Sequence, residues 1–168
     1  MRIDIALFTY DDIFSDFDIR DYRQRQLSKD FLDELRIRMV KKSDSATTAL
    51  VMMIEKSQRN EKYEKLIIKR LRGFFEERYT SYLRQRKKNI AQAAISGLAG
   101  VGLLLAAYVL STFVGNLFRD FLLIPSWYLV WTGLEKMIGN GQEIAKKLTY
   151  YRALSVASIE FRDKTASA

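Results

Sequence analysis

Among its 168 residues the chain has no histidine and no cysteine, and only one proline, Pro125. Without imidazole or thiol there is no His-based acid–base catalysis and no Ser-His-Asp or Cys nucleophile arrangement. Thiolate and imidazole metal sites, disulfides and Cys-based lipid anchors are excluded with them. Carboxylate, Lys and Tyr chemistry stays open. No Gly-rich phosphate loop and no Gly-x-Ser-x-Gly elbow is present. The opening MRIDIALFTYDDIFSDFD lacks a basic start followed by an apolar core, so no secretory signal is expected.

Charge is absent where it matters most. Residues 90–118 are 29 positions without one charged side chain, and residues 121–134 are 14 more, separated only by Arg119 and Asp120. The overall mean hydropathy of −0.15 therefore averages a polar part and a membrane-like insert. A spanning helix needs about 20 apolar residues. Residues 90–113 supply 24. As the core helix of a soluble protein, such a run would need more surrounding protein than this chain has. The second segment crosses only if extended to Leu117 and Ile138, with Pro125 in its first turns; a re-entrant or interfacial helix is the alternative. Trp127, Tyr128 and Trp131 supply amphipathic rings for the interface or span.

The basic excess has one location. Residues 56–88 carry 12 basic and 4 acidic side chains, a net +8 equal to the formal charge of the whole chain. Its last part, Arg84, Arg86, Lys87 and Lys88, adjoins the first apolar segment, and Lys136, Lys146 and Lys147 follow the second. Anionic lipid headgroups are the expected partner of Arg84, Arg86, Lys87, Lys88 and Lys136, at about 1 kcal/mol per basic residue. By the same distribution both polar ends are expected on the cytoplasmic side of a two-pass inner-membrane protein. Basic residues interleaved with Tyr63, Phe74, Phe75, Tyr79 and Tyr82 could grip single-stranded nucleic acid. The aromatics fall largely on the apolar face, however, and Glu76 and Glu77 interrupt the run, so nucleic acid is disfavoured.

Periodicity predicts strands over residues 3–10, 46–55 and 154–162. Helices are predicted from an N-cap at Ser28 to about Lys41, over 61–88 and running on into the apolar segment, and over 142–151. A polar connection is expected at 41–45, a turn at 57–61, a break at Gly139-Asn140-Gly141 and a frayed tail at 164–168. The expected fold is an α+β membrane protein: a transmembrane helical hairpin inserted into a small cytoplasmic α+β part. Residues 1–88 form that part with a basic juxtamembrane helix, 89–138 the hairpin, and 139–168 a helix and strand that complete the soluble part. The two strands flanking the hairpin, 46–55 and 154–162, are expected to pair in one sheet, because an isolated strand is unstable.

Two sets of candidate site residues remain. In the first apolar segment Ala93 and Gly97, Ser96 and Gly100, and Gly102 and Ala106 are each four apart, a spacing that lets helices approach closely. The partner helix is either the second span or another copy of the chain. In the loop at 11–25, Asp11, Asp12, Asp16, Asp18 and Asp21 alternate with Arg20, Arg23 and Arg25. Ligand spacing for a hard cation is not met, and no metal is expected. A salt-bridged loop or a partner-docking surface around Asp16, Asp18, Arg20 and Arg23 is the reading.

The stretches FSDFDIRDYRQRQLSKDFLDELRIR, RQRKK and LLIPSWYLVWTGLEKM together resemble a group of bacterial and archaeal two-span membrane proteins. These share an Asp-rich motif, a split soluble part and a Pro-x-Trp second span. The resemblance implies topology and no catalytic residues or cofactor. The expected function is non-enzymatic: a membrane protein that self-assembles and responds to a cytoplasmic partner, in the manner of small defence-type membrane effectors. The alternative is a membrane-tethered module that recognises a ligand or nucleic acid through residues 1–88.

Overall fold

The computed structural model describes residues 2–40, 49–114 and 116–164. The described chain is mostly helical around a small sheet. In order it runs β1 (Arg2–Ala6), α1 (Lys29–Val40), β2 (Ala49–Ile54), α2 (Glu61–Val114), α3 (Asn116–Glu135), α4 (Gly141–Ser155) and β3 (Ser158–Asp163). Short 3-10 turns lie at Tyr10–Ile13 and Lys56–Gln58, and a π-helical turn, Lys136–Asn140, leads from α3 into α4. The chain divides into two compact units, residues 1–79 with 149–168, and residues 80–148.

In the first unit the three strands lie in the order β1-β2-β3, and both pairings are parallel. Ile3, Leu50 and Ile159 share one row across the sheet, and Ile5, Met52 and Phe161 another. All six are buried on one face, against Phe31 and Leu35 of α1 and Ile67, Leu71 and Phe75 of α2. The sequence explains which strand is central. β2 reads ALVMMI, apolar at every position, and Val51 is buried on the second face too. β1 and β3 alternate: Arg2, Ala6, Ser158, Glu160 and Arg162 are exposed on that second face. Strands 46–55 and 154–162 were expected in one sheet, and β2 and β3 do pair. The expected α+β arrangement takes a more specific form. Parallel strands cannot be joined by tight turns, so β1 connects to β2 through α1, and β2 to β3 through α2, α3 and α4.

Both outer strands have an arginine on a main-chain carbonyl. Arg38 donates to Asp4 O on β1, and Arg59 Nη2 to Phe161 O at 3.4 Å on β3.

Several boundaries differ from the sequence reading. Leu154 sits in α4, not in a strand, and is buried in the core of the first unit. Gly139-Asn140-Gly141 is no break. The helix absorbs it as a π turn, and Gly141 keeps right-handed helical angles (φ −64°, ψ −42°). Pro125 lies well inside α3 rather than in its first turns. β1 ends at Ala6, and Tyr10 belongs to the following 3-10 turn. The expected connection at 41–45, the first residues of the expected strand at 46–48, and the tail at 165–168 lie outside the described residues.

Candidate functional site

Residues 8–28 of the first unit form a loop built almost entirely by its own polar groups. Its base is an antiparallel bridge between Phe14 and Leu27, with Ser15 N donating to Gln26 O (2.8 Å) and Ser28 N to Ile13 O (2.9 Å). The Asp12 carboxylate accepts from the main-chain N–H of Phe8 (2.6 Å) and Thr9 (3.1 Å) and so starts the 3-10 turn. Asp18 takes the Arg20 guanidinium in bidentate fashion (2.8 and 2.7 Å), plus the main-chain N–H of Arg20 (3.2 Å) and of Gln26 (2.7 Å). The Arg20 side-chain bonds above all, then the Gln26 N–H, hold the Asp18 carboxyl well below the usual carboxylate range. Asp18 is therefore the strut of the loop.

A second set of contacts ties the loop to its own unit. Tyr22 stacks on Phe14 (5.2 Å between centroids), meets Tyr63 edge-on (5.4 Å) and donates to Asp11 Oδ1 at 3.3 Å. Arg25 pairs with Asp11, reaches Ser15 O at 3.4 Å and lies 5.7 Å over the Phe14 ring. Its Nε is buried without a hydrogen-bond partner. Tyr10 is buried between Tyr63 and Phe161, edge-on to both rings. Its hydroxyl accepts from Asn60 N (2.8 Å) and donates to Glu64 Oε1 (3.1 Å). Glu64, itself buried, receives both arms of Arg59 (2.9 and 3.1 Å), which also reaches Asp163 at 2.8 Å. Burial is the main reason the Tyr10 and Tyr22 hydroxyls are pushed up from their ordinary range. For Arg59 the Glu64 bonds raise the guanidinium further still.

Of the expected docking residues, Asp16, Arg20 and Arg23 are exposed, while Asp18 is turned into the loop. Sequence reasoning missed the two side chains beside it. Phe17 is 99% exposed and Ile19 96%. Their alternation around a carboxylate, in a segment without regular structure, was the available signal. No group of three or more acidic side chains converges to hold a metal among the described residues.

The second unit, taken by itself, is built on two helices. Asn89 Nδ2 donates to Lys136 O at 2.9 Å, which occupies a carbonyl at the start of the π turn. A Cβ placed on Gly133 would meet Ala93 O at 2.9 Å and Gly97 N at 3.1 Å; one on Gly100 would meet Val130 N at 2.8 Å and Ser126 O at 2.9 Å. Rising numbers on α2 meet falling numbers on α3, so the helices pack antiparallel, backbone against backbone. Ala93, Gly100 and Ala107 are buried in the described structure, and so are Ser126 and Gly133. Ser126 Oγ donates to Leu122 O at 2.6 Å and so hides its own polarity. The pair Ser126 and Gly133, seven apart on one helix face, was the missed signal for the partner side. Gly97 and Gly102 have open space where a side chain would project, and Ser96 and Ala106 are half-buried.

The other faces of these helices are apolar and exposed: Ile95, Leu98, Leu105 and Phe113 on α2, and Leu117, Phe121 and Ile124 with Trp127, Tyr128 and Trp131 on α3. Among the described residues α2 is the one helix long and apolar enough to cross a membrane, and only 17% of its most apolar window is buried. Arg84, Arg86, Lys87 and Lys88 are exposed on α2 just before Ile90, and Lys136 is half-buried in the π turn. Arg119 and Asp120 pair at 3.1 Å near the start of α3. Tyr82, Gln85 and Asn89 line a polar cavity of about 330 Å³ with Glu143, Ile144 and Lys147. Comparison with protein families, with curated proteins and with solved structures finds no match to this chain.

Proposed function

We propose that the chain is a non-enzymatic, two-span inner-membrane protein that self-associates through its helical pair and engages a cytoplasmic protein through its α/β unit. The observation that carries this reading is the apolar surface of the pair. Monomeric soluble proteins rarely expose contiguous apolar patches beyond a few hundred Å². Here large apolar side chains point outward along α2 from Ile95 to Phe113 and along α3 from Leu117 to Leu134. A bilayer is the solvent that accepts such a surface.

The second span has support of its own. α3 has 20 residues, about 30 Å of helix, which matches the hydrocarbon thickness of a bilayer. Its charges sit near the ends, Arg119 with Asp120 at one and Glu135 at the other. Close packing on α2 supplies dispersion contacts that lipid cannot better where Gly100 and Gly133 remove bulk. The exposed Arg84, Arg86, Lys87 and Lys88 suit anionic headgroups, and the Lys and Arg bias favours a cytoplasmic side for both termini. The open sides of Gly97 and Gly102 leave room for a second copy.

Membrane fractionation with alkaline carbonate, followed by thiol labelling in intact cells, tests this. The protein should stay with the membrane. Ser15→Cys should resist an impermeant reagent and Asn116→Cys should react. Labelling of both from outside, or release by carbonate, would refute the two-span reading. A protein that inserts but stays monomeric at high protein-to-lipid ratio would leave a tethered binding module.

A further inference from the structure

We propose that the loop at residues 15–26 is a protein-docking element in which Phe17 and Ile19 are the anchors and Asp18 is the strut that presents them. This rests on the reading that the α/β unit engages a cytoplasmic protein, and it names the surface and the chemistry of that partner: an apolar pocket with a charged rim.

The geometry separates two roles that the sequence runs together. Asp18 accepts four hydrogen bonds from Arg20 and Gln26, so it faces inward. Its two neighbours are then forced outward, and Phe17 and Ile19 are 99% and 96% exposed. Apolar side chains this exposed gain nothing for the fold. Yet the loop beneath them is tightly made: the Phe14–Leu27 bridge closes its base, and Asp18 N donates to Ser15 O at 3.2 Å. A rigid presenter loses little conformational freedom on binding. One aromatic side chain can bury about 150–250 Å², a large share of the roughly 800 Å² that one partner contributes to a standard interface. Aromatic anchors seated in desolvated pockets dominate such interfaces.

A protein fits this loop better than a bilayer does. Residues 15–26 carry three Asp and three Arg, so the loop is neutral and is not drawn to anionic lipid. Asp16, Arg20, Asp21 and Arg23 are all exposed around the two anchors, so both signs of charge ring them. An anionic bilayer complements only one of those signs, whereas a protein rim can match both.

Site-specific photocrosslinking of the full-length protein in cells tests the proposal. A benzophenone amino acid is placed at position 17, or at position 160 on the exposed sheet face. The expected result is a discrete protein adduct from position 17, identified by peptide mass. That protein, purified, should bind the detergent-solubilised full chain, and Phe17→Ser and Ile19→Ser should each weaken binding tenfold or more. Neither side chain touches the core, so both variants should keep the wild-type melting temperature. The proposal is overturned if position 17 yields only lipid adducts or only a second copy of this chain, or if the double variant binds as tightly as wild type. Adducts from position 160 alone would remove the docking loop and leave a partner-binding unit; adducts from neither would remove both.

Discussion

At the scale of single residues, two glycines and a buried tyrosine carry the clearest consequences. Gly133 lets α3 touch the backbone of α2, and an added methyl would fall 2.9 Å from Ala93 O. Backbone cannot step aside as a flexible side chain can. Gly133→Ala should therefore destabilise the helical pair by about 1–3 kcal/mol. Gly102→Ala, which meets nothing within 4 Å, should be neutral. Thermal unfolding in mild detergent compares the two, and equal melting temperatures would disprove the close contact. In the other unit, Tyr10→Phe strips a partner from Asn60 N–H and from Glu64, at a cost of about 1–2 kcal/mol. The pH dependence has a definite sign. Burial raises the folded-state pKa of Tyr10, Tyr22 and, most of all, Tyr150 above the unfolded value of about 10. Stability from keeping these hydroxyls neutral is whole below about pH 10 and is lost as pH climbs toward the folded values. Tyr150→Phe should flatten that alkaline decline, as read from melting temperature between about pH 9 and 12.

At the scale of elements, β3 is decisive for the α/β unit although it comes last in the chain. It brings Ile159 and Phe161 into the core and Asp163 to Arg59. Phe161→Ala should cost about 3–5 kcal/mol. Deleting residues 158–168 should abolish cooperative unfolding of the unit, visible as loss of near-UV circular dichroism and rapid proteolysis. A truncated chain with an unchanged transition would show that β1 and β2 suffice. The outer strands also show how a small parallel sheet limits edge pairing: Arg38 and Arg59 each occupy a carbonyl of an outer strand and bring charge to its edge.

For the molecule as a whole, the structure divides the small residues of α2 by task. Gly100 is committed to α3, so Gly100→Leu should break the pair itself. Gly97→Leu and Gly102→Leu project into open space and should leave the pair intact while lowering self-association. Native mass spectrometry in mild detergent, with cross-linking at high protein-to-lipid ratio, reads the difference. The expected outcome is a shift from oligomer toward monomer for Gly97→Leu with wild-type membrane insertion. An unchanged oligomer for both variants would remove this face from the assembly.

Much of this was legible from residue order because it depends on local physics. The uncharged run after Lys88 marks the apolar helix, and no proline or turn cluster intervenes between Glu61 and that run, so α2 is continuous through Gly73. ALVMMI has to be an interior strand because both of its faces are apolar. What only the tertiary structure decided depends on which surfaces meet. Gly97 and Gly100 look alike in sequence, and the α3 backbone at Ser126 and Val130 is what separates the filled position from the one whose side chain would project into open space. Gly139-Asn140-Gly141 reads as a stop, but a π turn lets the helix continue, with Asn89 bonded to the Lys136 carbonyl across the pair. Asp18 could not be told from Asp16 by composition. Its carboxylate became a strut, and Phe17 and Ile19 became the exposed surface, only when Arg20 and the Gln26 N–H were folded against it.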